Sequence, residues 1–320
     1  MKNMDLMKTY GIIVVLLLLV IFFSLMTDSF FTTRNLFNIL RQVSIIGIVS
    51  VGMTFVLLTG GIDLSVGSLI AVTGVTASTL MVTHQANAWF AMLVGILLVT
   101  ALGFLTGLIV QKFELPPMIV TLGMMIVARG LAFLVTGGLP VFGLPSDYVM
   151  IGQGYLWVIP IPVIFMLVFF AIGKFILEQT CVGRHFYAMG GNIEAARLTG
   201  IRVARLKIAS FAISGFLCGV AGIVLMFRIN SGQPTAGGGL ELDVITATVL
   251  GGVSLSGGEG RIAGVLVGCL IIGVLSNGLT IMNVGEYYRM VITGCVLVLA
   301  VILDKLGQRY SAKRAKAIAA

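Results

Sequence analysis

The chain has 320 residues, of which 58% are hydrophobic and 10% are charged, whereas ordinary soluble domains contain about 25% charged residues. This composition excludes a soluble globular enzyme and a disordered chain, and it indicates an all-α polytopic membrane protein. The net charge of +8 is therefore interpreted as a topology signal and not as a nucleic-acid-binding surface. Glycine is abundant, with 41 residues, and small residues let membrane helices approach closely or break.

Apolar runs predict about ten transmembrane helices that form a single membrane domain over residues 1–320. The N-terminal run is predicted to be an uncleaved first helix, because no small-residue cleavage pattern follows it. The more polar segment 30–42 is expected at the membrane interface. The predicted spans cover residues 10–26, 43–60, 66–83, 88–110, 118–137, 158–177, 208–228, 242–256, 261–282 and 287–303, of which the eighth is short.

The distribution of Lys and Arg predicts the orientation in the membrane. Ten spans place both termini in the cytoplasm, and most basic residues, including those of the tail 304–320, then lie on the cytoplasmic side. The external loop 138–157 contains no Lys or Arg. This asymmetry follows the positive-inside rule and favours ten spans over nine or eleven. The basic residues expected at the outer side are Arg34, Arg41, Arg228 and Arg289.

Two glycine-rich segments resemble each other and interrupt the apolar pattern. Residues 60–67 and 251–258 are identical at five of eight aligned positions, and each follows an inward-going span. Internal repeats are common in transporters. We predict that these segments are hinges or gates with a broken or re-entrant backbone, in which Asp63 caps a helix start. The alternative is that residues 60–65 form an ordinary turn at the inner surface, with Asp63 in water. The predicted hinge residues are Gly60, Gly61, Asp63, Ser65, Gly67, Gly251, Gly252 and Ser254.

Arg129 is predicted to lie near the middle of the membrane, because it follows Met118 by 11 residues, or about 16 Å of helix. An intramembrane Arg is expected to face the bundle interior or a water-filled path. We therefore assign Arg129 to the translocation path, with Asp63 as a candidate partner. The alternative is a structural ion pair or a contact with backbone carbonyls.

The inner loop 178–207 is predicted to contain a short helix. Asn192 is a favourable N-cap, Gly200 is a favourable C′ residue, and Glu194 and Arg197 lie at the helix ends that the macrodipole favours for their charges. This helix either docks onto a cytoplasmic partner or only connects two spans.

The sequence contains no recognisable enzyme, metal or cofactor motif, so we assign no catalytic, metal-binding or cofactor-binding residue. Residues 255–259 read Leu-Ser-Gly-Gly-Glu, which is close to a signature of ATP-binding-cassette ATPases. The phosphate-binding loop that must accompany this signature is missing from the sequence. The chain is therefore not expected to hydrolyse ATP itself.

Six glycine-containing motifs follow one another along the chain, at residues 51–54, 58–68, 190–201, 231–237, 250–255 and 260–262. Together they resemble bacterial ABC sugar-importer permeases of the ribose type, and the match runs in order from about residue 30 to 303. This resemblance implies a homodimer in the cytoplasmic (inner) membrane, with a fold similar to the vitamin B12 importer permease. It also implies a separate ATP-binding subunit on the cytoplasmic side and a periplasmic sugar-binding protein. The residues that it identifies as an ATPase-coupling helix are Gly191, Asn192, Glu194, Ala195, Ala196, Arg197, Leu198 and Gly200.

Three functions remain open at this point. The first is the membrane subunit of an ATP-driven importer of ribose or a related pentose or hexose. The second is an ion-coupled secondary carrier of a small polar solute, which needs an intramembrane carboxylate, for which Asp63 is the reasonable choice. The third is a related permease for a polyol or a sugar derivative.

Overall fold

The computed structural model describes the backbone of residues 2–319 and the side chains of residues 11–302 and Lys305. Within these residues the protein is helical, apart from one short hairpin of β1 (Tyr155–Leu156) and β2 (Ile159–Pro160) and a 3₁₀ turn at Ser146–Tyr148. The helices are α1 (Lys2–Met26), α2 (Thr33–Leu58), α3 (Val66–Val82), α4 (Ala88–Lys112), α5 (Pro117–Thr136), α6 (Met150–Gln153), α7 (Ile161–Gln179), α8 (Cys181–Gly191), α9 (Ile193–Leu198), α10 (Val203–Ile229), α11 (Leu240–Leu250), α12 (Ile262–Ile281) and α13 (Glu286–Ala319).

The helices confirm an all-helical polytopic membrane protein. In the described part of the chain, α2, α4, α5, α7, α10 and α12 are long and apolar enough to cross a membrane, and α3 and the Gly11–Met26 part of α1 are shorter apolar helices. Each of the ten predicted apolar runs overlaps a helix. The number of ten spans stays a prediction, because α11 has 11 residues and reaches only about 16 Å, half of a bilayer core.

Segment 30–42, which is predicted to lie at the membrane interface, forms the first turns of α2 from Thr33 onward, and its interfacial position stays a prediction. Asn35 in this segment has hydrogen-bond partners inside the protein. The Nδ2 group of Asn35 donates to Phe30 O at 2.8 Å and to Oδ1 of Asn277 in α12 at 2.9 Å. Because these hydrogen bonds satisfy the buried amide, the helix continues through the segment.

Helices α2 and α10 lie at the centre of the bundle. Helix α10 packs against α2, α3 and α4, and glycines permit this close approach. A Cβ atom on Gly107 would lie 2.9 Å from Ile208 Cα, and one on Gly219 would lie 3.0 Å from Ile96 Cα. Helix α5, in contrast, exposes large apolar side chains such as Ile126 and Leu134, as expected of a face that contacts lipid.

Candidate functional site

The two glycine-rich segments form the same kind of helix end. Gly60 (φ +72°) lies two residues after Leu58, the last residue of α2, and Gly252 (φ +89°) lies two residues after Leu250, the last residue of α11. In both, the next N–H donates to a carbonyl five residues back, which is the Schellman motif. Structurally Gly60 therefore corresponds to Gly252, one position away from the pairing in the sequence alignment. The bonds join Gly61 N to Val56 O at 3.1 Å and Val253 N to Thr248 O at 3.2 Å.

The two segments also meet each other, at a contact that we call the glycine junction: Leu58, Gly60, Gly190, Gly257 and Gly258. The N–H of Gly258 donates to Leu58 O at 3.1 Å. A Cβ atom on Gly190 would overlap Leu58 O and Gly258 N, and one on Gly257 would lie 2.9 Å from Gly60 N. Three backbone segments thus touch where no side chain fits.

The glycine junction lies directly beside the predicted docking helix. Gly190 is in the last turn of α8, two residues before Asn192. The Tyr187 hydroxyl of α8 donates to Gly260 O at 3.0 Å, and burial, followed by the charge of Glu178, raises the pKa of this phenol. The phenol therefore stays protonated as a donor at neutral pH. Helix α8 is held to segment 251–260 by both backbone and side chain.

Sequence reasoning missed α8 and the role of Gly190, Gly257 and Gly258. It expected only one short helix within 178–207, whereas the structure has α8 before α9. The paired glycines were visible in the sequence, but the segment that each approaches is decided by contacts across more than 60 positions of the chain.

Asp63 is buried, with 1% exposure, so the alternative of a carboxylate in water at a surface turn is wrong. Its Oδ1 atom accepts hydrogen bonds from Ser65 N at 3.0 Å and Ser65 Oγ at 2.6 Å, and Oδ2 accepts from Ser214 Oγ at 2.8 Å. Ser65 is the N-cap residue of α3 and makes no side-chain cap hydrogen bond, so the prediction that Asp63 caps this helix start is wrong. Ser214 follows Val203 by 11 residues, which places this contact about 16 Å along α10.

Arg129 and Asp63 are not partners, so the suggested pairing is wrong. The Nη1 atom of Arg129 donates to Pro234 O at 2.7 Å and to Ala236 O at 2.8 Å. The alternative of a contact with backbone carbonyls is confirmed. Arg129 is half-buried and holds the loop 231–239, which leads from α10 into the short helix α11.

The other predicted hinge residues lie in close backbone contacts. A Cβ atom on Gly67 would overlap Gly237 O in the loop that Arg129 holds, and one on Gly251 would lie 2.5 Å from Val265 Cα in α12. Ser254 N donates to Glu259 O at 2.9 Å, and Ser254 Oγ accepts from Ser256 N at 3.1 Å. The segment that resembles an ATPase signature is thus a small closed loop beside the glycine junction.

Helix α9 has the predicted ends. The Oδ1 atom of Asn192 accepts from Ala195 N at 3.0 Å, and Gly200 has φ +81° at the C′ position. Ala196 is buried against Met189 and Val203.

The outer face of α9 is exposed and chemically mixed. Glu194 and Arg197 form an exposed ion pair at 3.5 Å, Ala195 and Gly191 are exposed, and Leu198 is 89% exposed. A largely exposed leucine on a short helix is typical of a surface that another protein covers.

Comparisons with known proteins agree on one class of molecule. Residues 35–301 match the family described as the permease component of branched-chain amino acid transport systems. The chain is 44% identical over 284 residues to the ribose import permease of Bacillus subtilis (strain 168), with 88% of each chain covered. It is 40% identical to the L-arabinose ABC transporter permease of Azospirillum brasilense, covering 94% of this chain and 88% of the relative. It is 38% identical to the D-allose transport system permease of Escherichia coli (strain K12), covering 88% and 87%.

Proposed function

This chain belongs to the family of permease components of branched-chain amino acid transport systems, and we propose that it is the membrane-spanning subunit of an ABC importer for a monosaccharide. The observation that carries the proposal is the similarity along most of the chain to permeases for three sugars. Ribose is the first substrate to test, because 44% identity to a ribose permease exceeds the identity to the arabinose and allose permeases.

The proposed partners follow from the same class of transporter. A separate ATP-binding subunit supplies the energy and docks on α9 at the cytoplasmic side, and a periplasmic binding protein delivers the sugar. The exposed Leu198 beside the Glu194–Arg197 ion pair supports α9 as the docking surface. We further propose that two copies of the chain form a homodimer. Each copy has ten spans, a fold similar to the vitamin B12 importer permease, and both termini in the cytoplasm. Apart from Lys305, the side chains of the basic tail 304–320 lie outside the described residues.

The glycine junction suggests how a movement of α9 reaches the membrane. Gly190 precedes α9 by three residues and contacts both the end of α2 and segment 251–260. A displacement of α8 and α9 therefore moves both glycine-rich segments, 60–67 and 251–260, at the same time. In this proposal the permease alternates between an outward-open and an inward-open arrangement. ATP binding drives this alternation only if the ATPase makes different contacts with the two arrangements.

Asp63 and Arg129 are assigned different roles in this proposal. Asp63 joins the glycine-rich segment 60–67 to α10 through its hydrogen bond with Ser214. A movement of α10 therefore also moves α3. Arg129 fixes the loop 231–239, which we propose borders the translocation path. The close approach of Gly67 to Gly237 supports a shared border of α3 and this loop.

Reconstitution separates this function from an ion-coupled carrier. The chain, its ATP-binding subunit and its binding protein are placed in vesicles, and uptake of radiolabelled ribose, arabinose and allose is measured with and without ATP. We expect uptake of a sugar against its gradient only when all components and ATP are present. Accumulation by the chain alone, driven by a proton or sodium gradient without ATP, would overturn the proposal.

The same vesicles test α9. Leu198→Asp is expected to abolish ATP-dependent uptake while leaving the amount of inserted protein unchanged, because an exposed side chain contributes to docking and not to folding. Leu198→Met keeps the apolar contact and serves as the control. Wild-type uptake by Leu198→Asp would exclude α9 as the docking surface.

A further inference from the structure

A cavity of about 330 Å³ opens between α8, the 199–202 connection and the first turn of α10. Its polar lining includes His185, Arg202 and Arg205, all exposed, and its apolar lining is Ile201 and Leu206, both half-buried. The cavity therefore combines cationic groups with an apolar wall.

The positive charge of this cavity is not neutralised by the described part of the protein. Arg202 and Arg205 form no ion pair with a carboxylate among the described residues, whereas Arg197 is paired with Glu194 and Arg289 with Glu286. No acidic residue lines the cavity. The guanidinium groups of Arg202 and Arg205 line the same cavity and have no carboxylate partner in the described part of the protein. They therefore indicate that the cavity binds an anion from outside the protein.

The length of α10 places the cavity at a particular depth. The helix has 27 residues and is about 40 Å long, whereas the hydrocarbon core is about 30 Å thick and the bilayer with its headgroups is about 40–45 Å thick. Arg205 in the first turns of α10 and Arg228 in the last turn then lie in the two headgroup layers. The cavity opens where lipid phosphates are found.

We propose that this cavity binds the phosphate-bearing headgroup of an anionic phospholipid, with Arg202 and Arg205 on the phosphate. Basic pockets beside membrane helices on the cytoplasmic side bind anionic headgroups, and arginine matches phosphate by forming two parallel hydrogen bonds. Ile201 and Leu206 provide an apolar wall for the glycerol backbone and the first acyl carbons. The headgroup depth of Arg205 favours lipid over an acidic surface of the ATPase.

The lipid site has a consequence for α9. Gly200 and Ile201 cap the C-terminal end of α9, because Ile201 N donates to Ala196 O at 3.1 Å, and both residues line the cavity. A bound headgroup therefore stabilises the position of the docking helix. This consequence rests on the proposed function, whereas the lipid site itself needs only the membrane location.

The test measures lipid binding to the purified full-length chain by native mass spectrometry during titration with phosphatidylglycerol or phosphatidylcholine. We expect preferential retention of phosphatidylglycerol. The double variant Arg202→Gln/Arg205→Gln should weaken that binding roughly thirtyfold, because each basic residue near an anionic surface contributes about a factor of five. Arg202→Lys/Arg205→Lys keeps the charge and should retain most of the affinity, which separates charge loss from misfolding.

The control variant is Arg184→Gln, which removes an exposed arginine of α8 that does not line the cavity and should leave lipid binding unchanged. Equal loss in this variant, or no loss in the double variant, would overturn the site. Displacement of the lipid by glycerol phosphate at equal concentration would instead identify a site for soluble phosphates. Binding of the ATP-binding subunit is also measured in phosphatidylcholine nanodiscs. If the double variant loses this binding while its lipid affinity is unchanged, the two arginines form a protein contact and not a lipid site.

Discussion

Asp63 uses both of its carboxylate oxygens to hold three donors, two from Ser65 and one from Ser214. In Asp63→Asn, the amide nitrogen cannot accept a hydrogen bond, so either a Ser65 donor loses its partner or the Ser214 hydroxyl must turn to accept instead of donating. We expect a loss of stability of about 1–3 kcal/mol together with a large loss of sugar uptake. Thermal unfolding in detergent and uptake into vesicles measure the two effects.

The control for Asp63 is Asp147→Asn, in the exposed 3₁₀ turn Ser146–Tyr148, which should behave as the wild type. If Asp63→Asn keeps both the melting temperature and the uptake of the wild type, the carboxylate is not needed to join α3 to α10.

The glycine junction gives a prediction for the elements α2, α8 and segment 251–260. Gly190→Ala places a Cβ atom on the backbone of Leu58 and Gly258, whereas Gly123→Ala in α5 meets nothing within 4 Å. We expect Gly190→Ala to reduce ATP-coupled uptake strongly, because α8 must move away from both breaks. Gly123→Ala, the control, should transport like the wild type, and equal effects of the two substitutions would contradict the junction.

Both glycine breaks were predictable as breaks, because a Gly-Gly step after an apolar run disfavours continuation of the helix. Which glycine takes positive φ was not predictable. The two segments align in sequence at Gly60 and Gly251, yet Gly60 and Gly252 occupy the left-handed position. Relative to its glycine pair, α11 ends one residue later than α2 does.

For the whole molecule, the orientation can be measured with the native cysteines. Cys181 begins α8 and is exposed, whereas Cys218 and Cys269 are buried. Cys295 in α13 is also exposed and is replaced by serine for this test. We expect a membrane-impermeant maleimide to label Cys181 from the cytoplasmic side only, because the loop 178–207 is assigned to that side by its excess of Lys and Arg.

An added cysteine at Ser146, in the loop 138–157 that is predicted to be external, is the control and should be labelled from the opposite side. Labelling of Cys181 from outside would reverse the orientation, and with it the placement of α9 next to a cytoplasmic ATPase.

The amino-acid sequence by itself determined the class of molecule, the approximate positions of the helices and the ends of α9, because apolar length, charge asymmetry and helix capping are local properties. The tertiary structure decided what those local signals contact. It separated Arg129 from Asp63, buried Asp63 against Ser214, and joined two distant glycine breaks to the end of α8. These contacts depend on how helices far apart in the chain pack, and glycines that leave the backbone accessible determine how closely they approach.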